Sequence, residues 1–290
     1  MGSTNADALR SVRPVVATAP AVAIALVYAP VFAHAAGVWH SDQELSFGFL
    51  VPPAVALMLA LRWRDLAAAV APGHPLVLAV LGTGLLLLIA AARSNVHALA
   101  GASFFPVALG ATGYLYGTTT ARLAALPLAL TTAALSLYRG LLAPLGFALQ
   151  QLTAQASAFT AAAAGVPVRR SGVDLFTSNV HLVVAQACSG MDSLLALLCL
   201  GALVVGLVRA SLVRRALLIA LVLPIILVAN VLRVTLALVL SGPLGRAVIQ
   251  GLPHDLLSAF LFVAATLLFV AAGIALRCVP WFAATSSSPA

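Results

Sequence analysis

The chain is poor in charged residues. Only 8% of its 290 residues are Asp, Glu, Lys or Arg, whereas 63% are hydrophobic and the mean hydropathy is +1.13. Soluble globular domains are about one quarter charged, so this composition could not cover a water-exposed surface with polar side chains. The composition therefore excludes an ordinary soluble domain and predicts an integral membrane protein.

Lysine is absent and cysteine is scarce. All 15 basic residues are arginines, and with 7 acidic residues they give a formal charge of +8. The arginines form no basic run with interleaved aromatic residues, which argues against nucleic-acid binding. Cys188, Cys199 and Cys278 form no C-x-x-C pair, which argues against a disulfide framework or a zinc knuckle. The histidines show no metal-ligand spacing, so neither a metal nor another cofactor is expected.

Long apolar stretches recur along the chain. A stretch of about 17–25 apolar residues is long enough to cross a membrane as a helix. The sequence therefore predicts an all-α membrane protein, a polytopic bundle of about eight transmembrane helices that forms a single domain over residues 1–290. The predicted spans are residues 14–36, 45–61, 75–92, 97–118, 123–142, 188–208, 216–240 and 255–277. The Ser-rich tail, residues 283–290, is expected to be disordered.

The distribution of arginines orients the bundle. With a cytoplasmic N-terminus, nine arginines fall inside and five outside, with Arg233 within a span, as the positive-inside rule favours. This predicts a multi-pass protein of the cell (inner) membrane with both termini in the cytoplasm. The segment before the sixth span then lies outside. Within it, Pro144 to Ala164 is expected to form an interfacial helix, and Val166 to Val184 a short extracytoplasmic β-hairpin.

Three residues of chemical interest are brought together by this topology. Cys188 begins the sixth span, Arg233 lies about two turns from the outer end of the seventh, and His254 precedes the eighth. A neighbouring imidazole or guanidinium stabilises a thiolate. A Cys–His pair can attack a peptide carbonyl, form a thioester and protonate the leaving amine. An arginine can stabilise the oxyanion that develops during this attack.

Each of these residues also has a simpler structural interpretation. A cysteine in an apolar helix is usually a small core residue, a histidine at a helix start usually lies at the interface, and Arg233 could extend to the membrane surface. A charge inside a spanning helix is costly unless it is paired or hydrated, which favours a functional role for Arg233. Asn230 lies on the same helical face and could hold the guanidinium. Asp192, one turn after Cys188, is expected to be solvated at the helix entrance.

The order of these motifs resembles the exosortase/archaeosortase family. Ala187-Cys188-Ser189-Gly190, Asn230-x-x-Arg233 and His254-Asp255 each open or lie within a separate predicted span. Ser46-Phe47-Gly48-Phe49-Leu50-Val51-Pro52 is similar to the family's early Ser-His-Gly-x-Leu-x-Pro element, with Phe47 in place of the usual histidine. Ser258 stands where many members have glycine. The resemblance covers residues 40–277.

The resemblance implies a membrane cysteine peptidase or transpeptidase that cleaves the C-terminal sorting tails of secreted proteins on the extracytoplasmic side. Such a tail comprises a short motif such as Pro-Glu-Pro, a transmembrane helix and a basic end. By position, Cys188 would be the nucleophile, His254 the general acid/base, and Arg233 the stabiliser of an oxyanion or a substrate carboxylate. Support or substrate binding is expected from their neighbours Ser189, Gly190, Asn230 and Asp255. The expected partners are tailed secretory proteins, membrane lipid and a lipid or glycan acceptor.

Two other functions are compatible with the sequence. One is a transporter or lipid-handling protein in which Arg233 binds an anionic substrate. The other is a relative that binds sorting tails without cleaving them, which would tolerate loss of the Cys188 thiol. A transporter would more naturally show inverted repeats, and the sequence has none that are visible.

Overall fold

The computed structural model describes residues 4–137, 139–184, 189–248 and 251–280, and helices dominate these ranges. The chain divides into two compact units, one of residues 1–41 and 51–137 and the other of residues 42–50 and 138–290. The predicted single domain stays a prediction. The tail, residues 283–290, lies outside the described residues.

The described part of the first unit consists of helices joined by turns and short loops. Its helices are α1 (Thr4–Ser41), α2 (Val51–Leu61), α3 (Trp63–Ala68), α4 (Val77–Ser94), α5 (His97–Tyr116) and α6 (Thr118–Ser136). Glycines let α4 and α5 approach closely: a Cβ atom on Gly84 would lie 2.6 Å from the backbone nitrogen of Val107. A Cβ atom on Gly110 would lie 2.6 Å from the backbone nitrogen of Leu81. Small residues allow the same close backbone packing in membrane helix pairs generally.

The second unit combines helices with short strands. Its helical elements are a 3-10 helix (Gln43–Leu50), α7 (Arg139–Ala163), α8 (Met191–Leu207), α9 (Leu212–Ala220), α10 (Val222–Leu244), a second 3-10 helix (Gly245–Val248) and α11 (Leu252–Ala275). Its strands are β1 (Arg169–Ser171), β2 (Asp174–Phe176), β3 (His181–Val183), β4 (Val208–Arg209) and β5 (Val279–Pro280). Strands β4 and β5 pair antiparallel, and β1 to β3 form a separate sheet.

The number of spans is smaller than predicted. Within the described residues, the following six segments are long and apolar enough to cross a membrane: Ala21–Ser41, Glu44–Leu61, Val77–Ser94, His97–Tyr116, Leu212–Leu244 and Leu252–Ala275. The count is seven if α6 and α7 are taken together as one span. Helix α8, over the predicted sixth span, has only 17 residues. At 1.5 Å per residue it extends about 25 Å, less than the hydrocarbon core of a typical bilayer. The chain is thus a mainly helical, multi-pass membrane protein, but the count of eight is not confirmed.

Helix α7, expected to be an interfacial helix, packs along α10. Ser157 Oγ donates a hydrogen bond to the carbonyl oxygen of Val231 at 3.2 Å. Further along both helices, the hydroxyl oxygens of Thr160 and Thr235 lie 2.6 Å apart. Interhelical hydrogen bonds of this kind hold helices together in an apolar environment. The polar side of α7 therefore faces a neighbouring helix at these positions.

A three-stranded antiparallel sheet, in the order β1-β2-β3, follows α7. The sequence predicted a two-stranded hairpin on this segment, so the hairpin itself is not confirmed, and the side of the membrane stays a prediction. Leu175 of β2 lies opposite Leu182 of β3. One face of the sheet packs on α7 and α10 through a core of Ala154, Ala161, Leu175, Leu182, Val184, Val234, Ala237 and Leu238. This packing places the sheet beside the helix that carries Asn230 and Arg233.

Candidate active site

A tight turn opens α8 immediately after the predicted nucleophile. Cys188 itself lies outside the described residues. Ser189 is buried, and its Oγ accepts a hydrogen bond from the backbone N–H of Met191 at 3.2 Å. Gly190 adopts a φ of +81°, a left-handed conformation that costs other residues about 1–2 kcal/mol. Glycine therefore permits the turn that leads from Cys188 into α8.

Asn230 connects this turn to α7. Its side chain is buried, and Nδ2 donates a hydrogen bond to Oγ1 of Thr153 at 3.0 Å. Thr153 is itself fully buried. On its other side the amide lies against Gly190, where an added Cβ atom would be 3.0 Å from Cγ of Asn230. The structure thus places Asn230 between α7 and the start of α8.

Arg233 lines a small cavity one helical turn beyond Asn230. The cavity has a volume of about 20 Å³ and is lined by Gly190, Ser193, Ile226, Ala229, Asn230, Arg233, Ser258, Leu261 and Phe262. This is room for about one water-sized group. The Nη2 atom of Arg233 is buried, and no described residue accepts a hydrogen bond from it. A buried donor left in this way costs about 1–3 kcal/mol or more, so it is available to an anionic group that enters the site.

His254 and Asp255 occupy the first turn of α11. His254 is not among the residues that line the cavity, but Ser258, one turn later, is. Ser258 Oγ donates a hydrogen bond to the carbonyl oxygen of His254 at 2.9 Å. Nδ1 of His254 is buried without a hydrogen-bond partner among the described residues. Asp255 is exposed and does not line the cavity. The structure therefore brings together Gly190, Asn230 and Arg233, places His254 one turn away and leaves Asp255 at the surface.

A larger, open pocket of about 350 Å³ shares two lining residues, Ser193 and Phe262, with the cavity. Its other lining residues come from the first 3-10 helix (Ser46, Phe47, Leu50) and from the start of α8 (Asp192, Ala196). The early element with Phe47 therefore lies against the turn that follows the predicted nucleophile.

Asp192 differs from its prediction. The sequence suggested a solvated carboxylate, but Oδ1 is buried and has no hydrogen-bond partner within the described part of the chain. The reason is tertiary, because the 3-10 helix of Phe47 packs against the first turns of α8. The prediction of a solvated Asp192 is wrong for this oxygen atom.

Thr153 was not identified from the sequence as a site residue. A weak signal was present, since Thr153, Ser157 and Thr160 recur at spacings of four and three residues on α7. Such spacing places three hydroxyl groups on one face of a helix. The sequence does not show that α10 packs against this face, and hydroxyl residues at the same spacing also occur on helix faces that contact water.

These features define a class of protein: a multi-pass membrane protein with a partly buried arginine in a small cavity between helices. A family model described as transmembrane exosortase (Exosortase_EpsH) matches residues 39–271, and the chain belongs to the exosortase family. It is accordingly a membrane protein involved in the processing of sorting signals, in a family of cysteine peptidases and transpeptidases whose substrates carry C-terminal tails. No curated protein and no solved structure matches the chain.

Proposed function

We propose that this protein is a cysteine peptidase or transpeptidase that cleaves C-terminal sorting tails through a thioester on Cys188. One observation carries the proposal: Gly190, which follows Cys188 by two residues, and Arg233 of another helix line the same small cavity. Cys188 immediately precedes this turn in the sequence, and the proposal requires its thiol to lie near the guanidinium of Arg233. Membership of the exosortase family supplies the class of substrate.

The reaction needs a nucleophile, an acid/base and an anion stabiliser. The Cys188 thiolate attacks the carbonyl carbon of the scissile peptide bond, and negative charge develops on the carbonyl oxygen. The C–N bond then breaks as His254 donates a proton to the leaving amine, which leaves a thioester. Water or the amine or hydroxyl of an acceptor attacks the thioester and loses a proton to His254, and the C–S bond breaks to release the Cys188 thiolate.

The orphaned polar atoms support this assignment of roles. Nη2 of Arg233 and Nδ1 of His254 are buried without described hydrogen-bond partners. Donors that are already desolvated and oriented stabilise a developing oxyanion more strongly than donors in water. Removal of one such donor from an enzyme typically lowers kcat by about 10²–10³. The acceptor, a lipid or a glycan, and an extracytoplasmic site are part of the proposal.

The proposal is tested by the processing of a tailed secretory protein that is co-expressed with the enzyme. Cys188→Ala and Cys188→Ser are expected to abolish cleavage, and Arg233→Ala to lower it by about 10²–10³. Two matched controls should process normally: Cys199→Ala, a buried cysteine deeper in α8, and Arg214→Ala, an exposed arginine of α9. A hydroxylamine-sensitive adduct on Cys188 would identify the thioester.

Three outcomes would contradict the proposal. If all variants process the substrate equally well, Cys188 is not the nucleophile. If the wild type binds the tail but never cleaves it, the protein is a tail-binding relative. If no processing occurs and a small anionic solute binds only when Arg233 is intact, the transporter or lipid-handling alternative takes its place.

A further inference from the structure

Strand β3 forms one edge of the sheet of the second unit, and it is the strand that precedes Cys188 along the sequence. Strand β3 is the last strand of the order β1-β2-β3, and four residues after Val184 the chain reaches Cys188. Strand β1 forms the opposite edge; it packs against α7, and Arg170 Nη1 lies 3.5 Å from Oε1 of Gln151 on that helix. Four residues extend at most about 14 Å, so Val184, the residue after β3, lies within about that distance of Cys188.

The register of the sheet shows which backbone groups of β3 point outward. Val184 donates its N–H to the carbonyl oxygen of Val173 at 3.0 Å. Leu182, two residues earlier and opposite Leu175, therefore also directs its N–H and C=O groups toward β2. In an antiparallel pair, inward and outward backbone groups alternate along a strand. The N–H and C=O groups of His181 and Val183 therefore point away from β2.

On the outer face of the sheet, the side chains of Arg169, Phe176 and His181 form a row across the three strands that ends at β3. The rings of Phe176 and His181 stack with centroids 4.4 Å apart and an interplanar angle of 7°. Arg169 lies over Phe176, with its Cζ 5.7 Å from the ring centroid. Asp174 Oδ1 lies 2.7 Å from His181 Nε2 and holds the imidazole in place. The row runs across all three strands, so the side chain of a fourth strand would continue it beside His181.

Both outward-pointing residues are accessible. The side chain of His181 is 51% exposed, and Val183 is 44% exposed. Proteins usually protect an exposed strand edge, because unpaired N–H and C=O groups recruit another extended chain. Strand addition to such an edge is a common mode of peptide recognition.

We propose that an extended segment of the substrate, on the N-terminal side of the scissile bond, docks along β3 as a fourth strand. The inference rests on the proposed function, because it assumes that the occupant is the sorted protein. Closeness in the sequence selects this occupant: only five positions separate Val183 from Cys188, so a chain paired with β3 lies near the proposed nucleophile. The backbone contributes affinity in this arrangement, and the row that ends at His181 contributes side-chain contacts.

Disulfide trapping tests the docking. The full-length enzyme in membranes carries Val183→Cys in a Cys188→Ala, Cys199→Ala, Cys278→Ala background, so that bound substrate stays uncut. Single cysteines are placed at successive substrate positions before its transmembrane helix, and disulfides are formed with a mild oxidant. Cross-linking is expected at alternate substrate positions, because strand side chains alternate between faces. The matched control is Ser171→Cys, an exposed position on the far strand β1, which should give at least fivefold less product.

Several results would overturn the proposal. These are no cross-link at any position, cross-linking without alternation, equal trapping by Ser171→Cys, or disulfide-linked enzyme dimers in place of enzyme–substrate products. The last result would assign the edge to a second copy of this chain.

A kinetic variant addresses the same edge in active enzyme. Val183→Pro removes only an outward N–H, which a sheet edge tolerates, whereas Leu182→Pro removes an inward donor of the ladder. Val183→Pro is expected to raise KM at least tenfold, with kcat and the alkylation rate of Cys188 within twofold of the wild type. An unchanged KM would refute strand pairing. If Cys188→Ala processes substrate normally while alternate cross-linking persists, the docking stands and the proposed function falls.

Discussion

The guanidinium of Arg233 lies among helices of the second unit with Nη2 buried and without a described acceptor. Such a group lowers stability, since burial removes its hydration without replacing it. Strained or unsatisfied groups persist in native proteins mainly where function requires them. Oδ1 of Asp192 and Nδ1 of His254 are in the same condition. Three unsatisfied polar groups from α8, α10 and α11 are the physical basis for a site here.

Gly190 offers the sharpest single-residue test. Gly190→Ala places a methyl group 3.0 Å from Cγ of Asn230 and also forces alanine into a φ of +81°. We expect Asn230 and the turn after Cys188 to shift, so that processing falls at least about tenfold, equivalent to about 1.4 kcal/mol of transition-state stabilisation.

Gly172→Ala is the matched control for this substitution. Gly172 also has a positive φ, +63°, but an added Cβ atom there meets nothing within 4 Å. Both variants force alanine into a positive φ, but only Gly190→Ala also brings a methyl group against Asn230. Processing rates and thermal midpoints of the two proteins are compared; equal losses of activity would show that contact with Asn230 is irrelevant.

At the scale of elements, α7 and α10 are joined by side-chain hydrogen bonds that the apolar pattern of the sequence conceals. The bonds of Thr153 and Thr160 mark two ends of this contact, 3.0 Å to Asn230 and 2.6 Å to Thr235. Only the first end touches the turn after Cys188. We therefore expect this contact between helices to have a structural role at the Thr160 end and a positioning role at the Thr153 end.

Thr153→Val separates these roles. Valine keeps the shape of threonine but removes the acceptor for Asn230 Nδ2, and interhelical bonds of this type contribute about 1 kcal/mol in membranes. We expect the alkylation rate of Cys188 and substrate processing to fall about tenfold, with both restored in Thr153→Ser.

Thr160→Val serves as the control at the other end of the contact. It removes a hydroxyl bond between the same two helices and should lower stability by a similar amount without lowering processing. Thermal midpoints, alkylation rates and processing are measured for the three variants in parallel. If both valine variants lose stability and activity together, Thr153 has only a structural role and does not position Asn230 for the reaction.

At the scale of the whole molecule, the arginines predict which ends of the helices face the cytoplasm. Arg209 lies between α8 and α9, and Arg214 and Arg215 lie in the first turn of α9; all three are predicted to lie inside, whereas the sheet segment is predicted to lie outside. The proposed docking edge and Cys188 would then share the extracytoplasmic side.

Cysteine labelling tests this orientation. In a background without native cysteines, Ser178→Cys is placed in the turn between β2 and β3, and Val213→Cys at a position of α9 that is 76% exposed. A membrane-impermeant maleimide should label Ser178→Cys in intact cells and Val213→Cys only after permeabilisation. The reverse pattern would invert the topology and place the site in the cytoplasm.

Local composition was sufficient to predict much of this protein. Hydropathy predicted a mainly helical integral membrane protein, because burial in lipid depends on the composition of each segment by itself. The order of the motifs along the chain was enough to predict the exosortase family, and the match of the family model over residues 39–271 confirms this prediction. The span count of eight was not confirmed, because an apolar stretch does not fix where its helix begins and ends: α8, within the stretch 188–208, has only 17 residues.

Only the tertiary structure decided how the site is assembled. The bond between Thr153 and Asn230 joins residues 77 positions apart, and no local pattern specifies such a contact. Burial of Asp192 Oδ1 likewise depends on the 3-10 helix that carries Phe47, far away in the sequence. Segment hydropathy is a sum over neighbours in the chain, whereas a cavity, a hydrogen bond or a buried charge depends on which surfaces meet after packing. The helices and the family were therefore determined by the sequence, and the surroundings of Arg233 by the fold.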